Sequence, residues 1–128
     1  MLQTQAAFSG FSVDDLEKAK EFYTTVLGLK LVDEAMGLRF QLPGGGTVFV
    51  YDKDNHQPAS FTILNFVVAD IDKAVDSLAE QGVEFEHYEN GPPTDEKGIV
   101  RGRAAKMGPD IAWFKDPAEN ILSVLQDS

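Results

Sequence analysis

The chain has no cysteine, one tryptophan and two histidines among its 128 residues. Without cysteine it has no disulfide, no thiol nucleophile and no thiolate metal site, which suits a cytoplasmic protein. His56 and His87 stand in unrelated segments, YDKDNHQPAS and VEFEHYEN, and form no spaced pair of metal ligands. Basic residues are also scarce. Eleven Lys and Arg face 21 Asp and Glu, for a net charge of −10. Nucleic acid or an anionic membrane would repel such a chain, so neither is expected as a partner. Long apolar runs are missing too. Ile63–Leu64 and Phe66–Ala69 are far too short to cross a bilayer. The opening residues MLQTQAAF lack a basic region followed by an apolar core, so no signal peptide is expected.

What the chain does have is a repeat. FSVDDLEKAKEFYTTVLGLKL from Phe11 matches FVVADIDKAVDSLAEQGVEF from Phe66, pairing Phe11 with Phe66, Asp15 with Asp70, and Ala19 with Ala74. PGGGTVFVY from Pro43 matches PAENILSVL from Pro117. Two matches in the same order at different offsets describe a duplicated module with a variable insertion.

In each module an apolar or alternating segment precedes an aspartate positioned to cap a helix. Asp14 or Asp15 opens a helix carrying Leu16, Ala19, Phe22, Tyr23, Val26 and Leu27, and Gly28 ends it. Asp70 opens one carrying Ile71, Ala74, Val75 and Leu78, ended by Gly82. Three short strands are then predicted in each: Lys30–Asp33, Leu38–Leu42 and Thr47–Tyr51, then Val83–Tyr88, Ile111–Lys115 and Ile121–Gln126. The expected fold is therefore α+β: one domain over residues 1–128, built from two βαβββ modules in tandem, about residues 6–54 and 60–126. One helix covers one face of each sheet, leaving the other for a partner, a second module or a ligand. Strand alternation puts Phe8, Gly10 and Ser12 on that other face in module one, and Ile63, Asn65 and Val67 in module two.

FSVDDLEKAKEFYTTVLGLKL and WFKDPAENILSVLQ resemble the vicinal oxygen chelate superfamily of glyoxalase I, extradiol dioxygenases and bleomycin-resistance proteins, over about Phe8 to Gln126. The family's usual D-P-x-G-N turn reads Asp116-Pro117-Ala118-Glu119-Asn120 here, with Glu119 in the glycine position and local strain expected. The resemblance implies mixed sheets curled around a cavity, and in the metal enzymes four ligands from the first and last strand of each module. Those positions fall on Phe8, Phe49, Ile63 and Ser123. Phenylalanine and isoleucine carry no lone pair for a divalent ion, and a neutral serine is a poor donor. No metal and no cofactor are therefore expected.

The candidate ligand-binding residues are Phe8, Phe49, Tyr51, Ile63, Asn65, Trp113 and Ser123, with Trp113 competing with Phe114 for the cavity side. Asn65 is the sole amide in ILNFVV and is expected to be buried and to need a partner. His56 is the candidate acid or base. The long segment Gly91–Asp110 reads as a lid, where Lys97, Arg101 and Arg103 are candidate anion contacts or charges that balance nearby acids. The expected function is metal-free binding of a partly aromatic small molecule, as in bleomycin-resistance proteins, which are typically acidic dimers that meet a cationic drug. The alternative is a metal-free lyase or isomerase. A homodimer is expected, as in that family.

Overall fold

The computed structural model describes all residues, Met1–Ser128. The chain divides into two compact units, Met1–Pro58 and Ala59–Ser128. Each holds a four-stranded mixed sheet.

The first unit runs β1 (Ser9–Val13), α1 (Leu16–Glu21), a π-helical turn (Phe22–Val26), β2 (Lys30–Asp33), β3 (Leu38–Gln41) and β4 (Thr47–Asp52). Asp15 is the cap: its side chain accepts from the Lys18 N–H at 3.1 Å. The helix does not continue as one α-helix to Leu27. Thr24 Oγ1 donates to the Lys20 carbonyl at 2.6 Å, and Leu27 N reaches back five residues to the Phe22 carbonyl at 3.0 Å. A hydroxyl engaging the helix backbone loosens the α-helical ladder and favours this wider turn. Gly28, at φ +73°, then reverses the chain in a conformation that penalises a side chain. The sheet order is β1-β4-β3-β2, with β1 parallel to β4 and the remaining pairs antiparallel. Val13, Tyr23, Leu38, Phe40, Val48 and Val50 are buried between sheet and helix. The Tyr23 ring lies 5.8 Å from Phe11 and 5.5 Å from Phe40. Phe11 and Val13 therefore face the helix side, and Phe8, Gly10 and Ser12 alternate to the other.

The second unit runs β5 (Thr62–Val67), α2 (Ile71–Glu80), β6 (Val100–Arg101), α3 (Gly102–Ala105), β7 (Asp110–Lys115) and β8 (Ile121–Gln126), with sheet order β5-β8-β7-β6. Asp70 caps α2 through the Lys73 N–H, and Gln126 Oε1 accepts from the Ile71 N–H at 3.0 Å, tying the last strand to the helix start. Ile71, Val75 and Leu78 form the buried stripe of α2. Each such side chain contributes about 2 kcal/mol by leaving water.

The module two strand expected at Val83–Tyr88 does not form. Phe85 makes a single bridge to Phe114, and Glu86 N donates to the Trp113 carbonyl at 2.8 Å. The chain then leaves the β7 edge through Gly91, Pro92 and Pro93, since proline has no N–H for a ladder. It returns as β6, pairing Val100 with Ile111 and Arg101 with Asp110. Two separate pieces thus share one edge of β7. The segment Gly91–Asp110, expected as a loop, contains β6 and α3. Gly102 opens α3 where an added Cβ would collide with the Pro109 and Gly108 backbone, so only glycine fits.

Candidate functional site

The repeat is visible in the registers. Gly10 pairs with Phe49 and Phe49 with Arg39 across the first sheet. Asn65 pairs with Ser123 and Ser123 with Trp113 across the second. Phe49 and Ser123 are therefore equivalent positions, as are Arg39 and Trp113. Both rows lie on the sheet face away from the helix.

In the first unit this face carries a line of stacked groups. The Arg39 guanidinium carbon lies 4.4 Å from the Phe8 ring centroid and 5.3 Å from that of Phe49. Phe49 stacks on Tyr51 at 5.9 Å between centroids and 22° between planes. Gly37 makes room for this arrangement: an added Cβ there would lie 2.9 Å from Phe49 Cζ. Arg39 Nη1 donates to Thr47 Oγ1 at 3.1 Å. Beyond Tyr51, its strand partner Ser12 places Oγ 2.6 Å from His56 Nδ1. Phe8, Phe49, Tyr51 and His56, all singled out from sequence, thus meet on one face. Arg39 is not among the sequence candidates, because a single basic residue in the short strand Leu38–Leu42 carries no motif. Extending the repeat to Ile111–Lys115 sets Arg39 against Trp113 and would have found it.

In the second unit, Phe114 is fully buried beside Phe85, at 5.7 Å between rings, so Trp113 takes the opposite face. Trp113 Nε1 donates to Thr62 Oγ1 at 3.1 Å, and its ring meets Tyr88 edge-on at 5.8 Å. Burial pushes the Tyr88 phenol above its ordinary value, with the Glu86 charge adding to it. Thr62 reaches this side because the β5 register slips between Thr62 and Leu64, which takes Ile63 out of the ladder. Strict alternation does not foresee that. Ser123 is fully buried and donates to Asn65 Oδ1 at 2.5 Å. Asn65 itself is exposed rather than buried, because β5 is an edge strand. Its Oδ1 serves the buried hydroxyl, while its amide nitrogen has no acceptor within the chain.

Lys97, Arg101 and Arg103 are all paired with acids. Arg101 grips Asp72 of α2 with two nitrogens, at 2.8 and 3.0 Å, and donates from Nε to Asp95 at 3.0 Å. Lys97 reaches Asp72 at 3.3 Å and Asp76 at 3.1 Å, and Arg103 lies 3.4 Å from Asp110. The Arg101 hydrogen bonds hold the Asp72 carboxyl well below the usual carboxylate range. These bonds tie the Gly91–Asp110 segment to α2. A cavity of about 540 Å³ lies along that segment, walled by Pro92, Pro93, Val100, Ala105, Met107 and Ile111.

The positions that carry metal ligands in the family's enzymes do not fit a divalent ion. Phe8, Phe49 and Ile63 have no donor atom, and the Ser123 proton is committed to Asn65. No three His, Asp or Glu side chains converge anywhere in the chain to offer another site. No helix is long and apolar enough to cross a membrane.

Solved structures share this architecture. An integron cassette protein from the mobile metagenome of the Halifax Harbour sewage outfall is 25% identical, with a TM-score of 0.68 over 93% of this chain and 95% of that one. TnmS3, an antibiotic binding protein from Streptomyces sp. CB03234, is 24% identical, with a TM-score of 0.68 over 100% and 99%. The fosfomycin resistance protein FosX from Listeria monocytogenes is 15% identical, with a TM-score of 0.70 over 99% and 96%. No curated protein matches the sequence. The family model described as Glyoxalase/Bleomycin resistance protein/Dioxygenase superfamily matches residues 5–124, and the chain belongs to that superfamily.

Proposed function

We propose that the protein is a metal-free binder of a partly aromatic small molecule, of the bleomycin-resistance type, rather than one of the superfamily's metal enzymes. The donor chemistry at Phe8, Phe49, Ile63 and Ser123 carries this reading: three side chains cannot ligate, and the fourth holds Asn65. Each unit offers its own candidate sheet face: Phe8, Phe49 and Tyr51 in the first, and Ile63, Asn65 and Trp113 in the second, where buried Ser123 holds Asn65. The rings supply apolar area with little side-chain entropy to lose, and the free Asn65 amide orients polar groups. The fold likeness to an antibiotic binding protein and to a fosfomycin resistance protein is consistent with a binding or resistance role. We further propose a homodimer, since Phe61 and Val67 in and beside edge strand β5 are 68% and 66% exposed. A cysteine-free acidic chain suits the cytoplasm, where we place it.

Native mass spectrometry with nickel, zinc and manganese ions tests this directly. The expected species is a dimer without stoichiometric metal, and a copurified organic molecule would name the ligand class. One tightly held metal ion per chain would overturn the reading.

A second reading, a metal-free lyase or isomerase, draws on the Ser12–His56 pair beside Tyr51, where the imidazole would serve as acid or base. A turnover abolished in His56→Ala with ligand binding intact would favour it.

A further inference from the structure

Arg39 differs from the other two arginines of the chain. Arg101 and Arg103 are paired with carboxylates, whereas Arg39 has one hydrogen bond, to the neutral Thr47 hydroxyl, and no ion pair. A guanidinium has five N–H donors, and only one of Arg39's is engaged within the chain. This happens in a protein with 21 carboxylates, where a surface arginine readily finds an acid. The environment of Arg39 is instead aromatic: the rings of Phe8 and Phe49 lie 4.4 and 5.3 Å from its guanidinium carbon, and Tyr51 stacks on Phe49.

We propose that Arg39 is the anchor for a planar aromatic carboxylate on this sheet face. A guanidinium is weakly hydrated, and neighbouring rings keep water from it further, so little hydration is lost when a carboxylate binds its unengaged N–H groups. Its fork matches the two carboxylate oxygens, and charge-assisted bonds of this kind are the strong ones. The aromatic body of the ligand lies against Phe8 and Tyr51, which are 61% and 37% exposed. The net charge of −10 opposes an anion only at a distance. Exposed charges farther away than about 8 Å are screened at physiological salt, so the local guanidinium decides the sign of the ligand. The anion contact expected of Lys97, Arg101 and Arg103 thus passes to the one arginine without an acid. This inference rests on the binding-protein reading and names the ligand class of the same site.

The test is calorimetric titration of the full chain with naphthalene carboxylate, its neutral carboxamide and the matching naphthylmethylammonium, with amide NMR shifts to locate the contact. The carboxylate should bind about tenfold tighter than the carboxamide and shift amides of β1, β3 and β4. Arg39→Gln should erase that preference, bringing the carboxylate down to the affinity of the carboxamide in the same variant, while Arg39→Lys keeps part of it. Thermal unfolding of both variants shows that they are folded. Equal affinity for carboxylate and carboxamide, tighter binding of the ammonium, or shifts confined to the second unit would overturn the assignment and leave the binding-protein reading standing. Failure of all three probes to bind would overturn both.

Discussion

Ser123 donates its buried hydroxyl to Asn65 Oδ1 across 2.5 Å, joining β8 to β5 at the position where the superfamily's metal enzymes carry a glutamate. Replacing Ser123 by alanine leaves the exposed Asn65 carbonyl to water, so the loss is expected to be about 1 kcal/mol. Ser123→Glu is expected to cost more than the alanine, because its carboxylate would enter a fully buried position. It should not confer zinc binding, since one added carboxylate is too few ligands for a divalent ion. Urea unfolding and zinc titration of the two variants check both statements.

Glu119 sits at φ +67°, in the left-handed region that favours glycine. The strain expected from sequence at this turn is present. Glu119→Gly should stabilise the protein by about 1 kcal/mol, reduced by the greater freedom of glycine in the unfolded chain. The melting temperature should rise by about 3 °C, and an unchanged or lower value would count against strain at this residue.

Asp116 organises the same turn. Its Oδ1 accepts from the Ala118 and Asn120 N–H groups, both at 2.9 Å, and its Oδ2 accepts from Asn120 Nδ2 at 3.0 Å. The carboxylate is buried, so Asp116→Ala leaves these donors without their acceptor. A loss of about 3 kcal/mol is expected in denaturant unfolding, with Asp116→Asn losing less.

Acid should loosen the Gly91–Asp110 segment. Hydrogen bonds from Arg101, then Lys97, hold Asp72 well below its ordinary value. Burial acts to raise Asp95, but the Ile99 N–H and the Arg101 guanidinium outweigh it and lower that carboxyl too. A carboxyl lowered in the folded state contributes stability that is present above the unfolded value, about pH 4, and lost as the pH falls below it. The Asp72 and Arg101 side chains are 45% and 40% exposed, so the effect is modest and weakens with salt. Arg101→Gln should flatten the fall in urea midpoint below about pH 4. Hydrogen exchange should show residues 91–110 opening first.

Much of the fold was legible because it depends on local chemistry repeated twice. Asp15 and Asp70 cap their helices, Gly28 and Gly82 end them, and the pairing of Phe11 with Phe66 places Phe49 and Ser123 in equivalent registers. Phe8, Phe49 and Tyr51 could be assigned to one face by alternation alone, because β1 and β4 run without a slip. The rest turned on where strands were paired or interrupted. Val83–Tyr88 alternates like a strand, yet the prolines that follow draw the chain off β7 and hand part of the edge to Val100–Arg101. The slip in β5 turned Thr62 toward Trp113, and only packing against Phe85 sent Phe114 inward and left Trp113 outward.

Residue types along the chain determined the two modules, their helix caps and the loss of metal donors, since each follows from a side chain's own chemistry and its near neighbours. Tertiary structure alone decided which charges meet. Arg101 found Asp72 across 29 residues, whereas Arg39 came to rest beside Phe8 and Phe49 with no acid paired to it. Charge pairing depends on distances in space, and those exist only once strands and helices have packed.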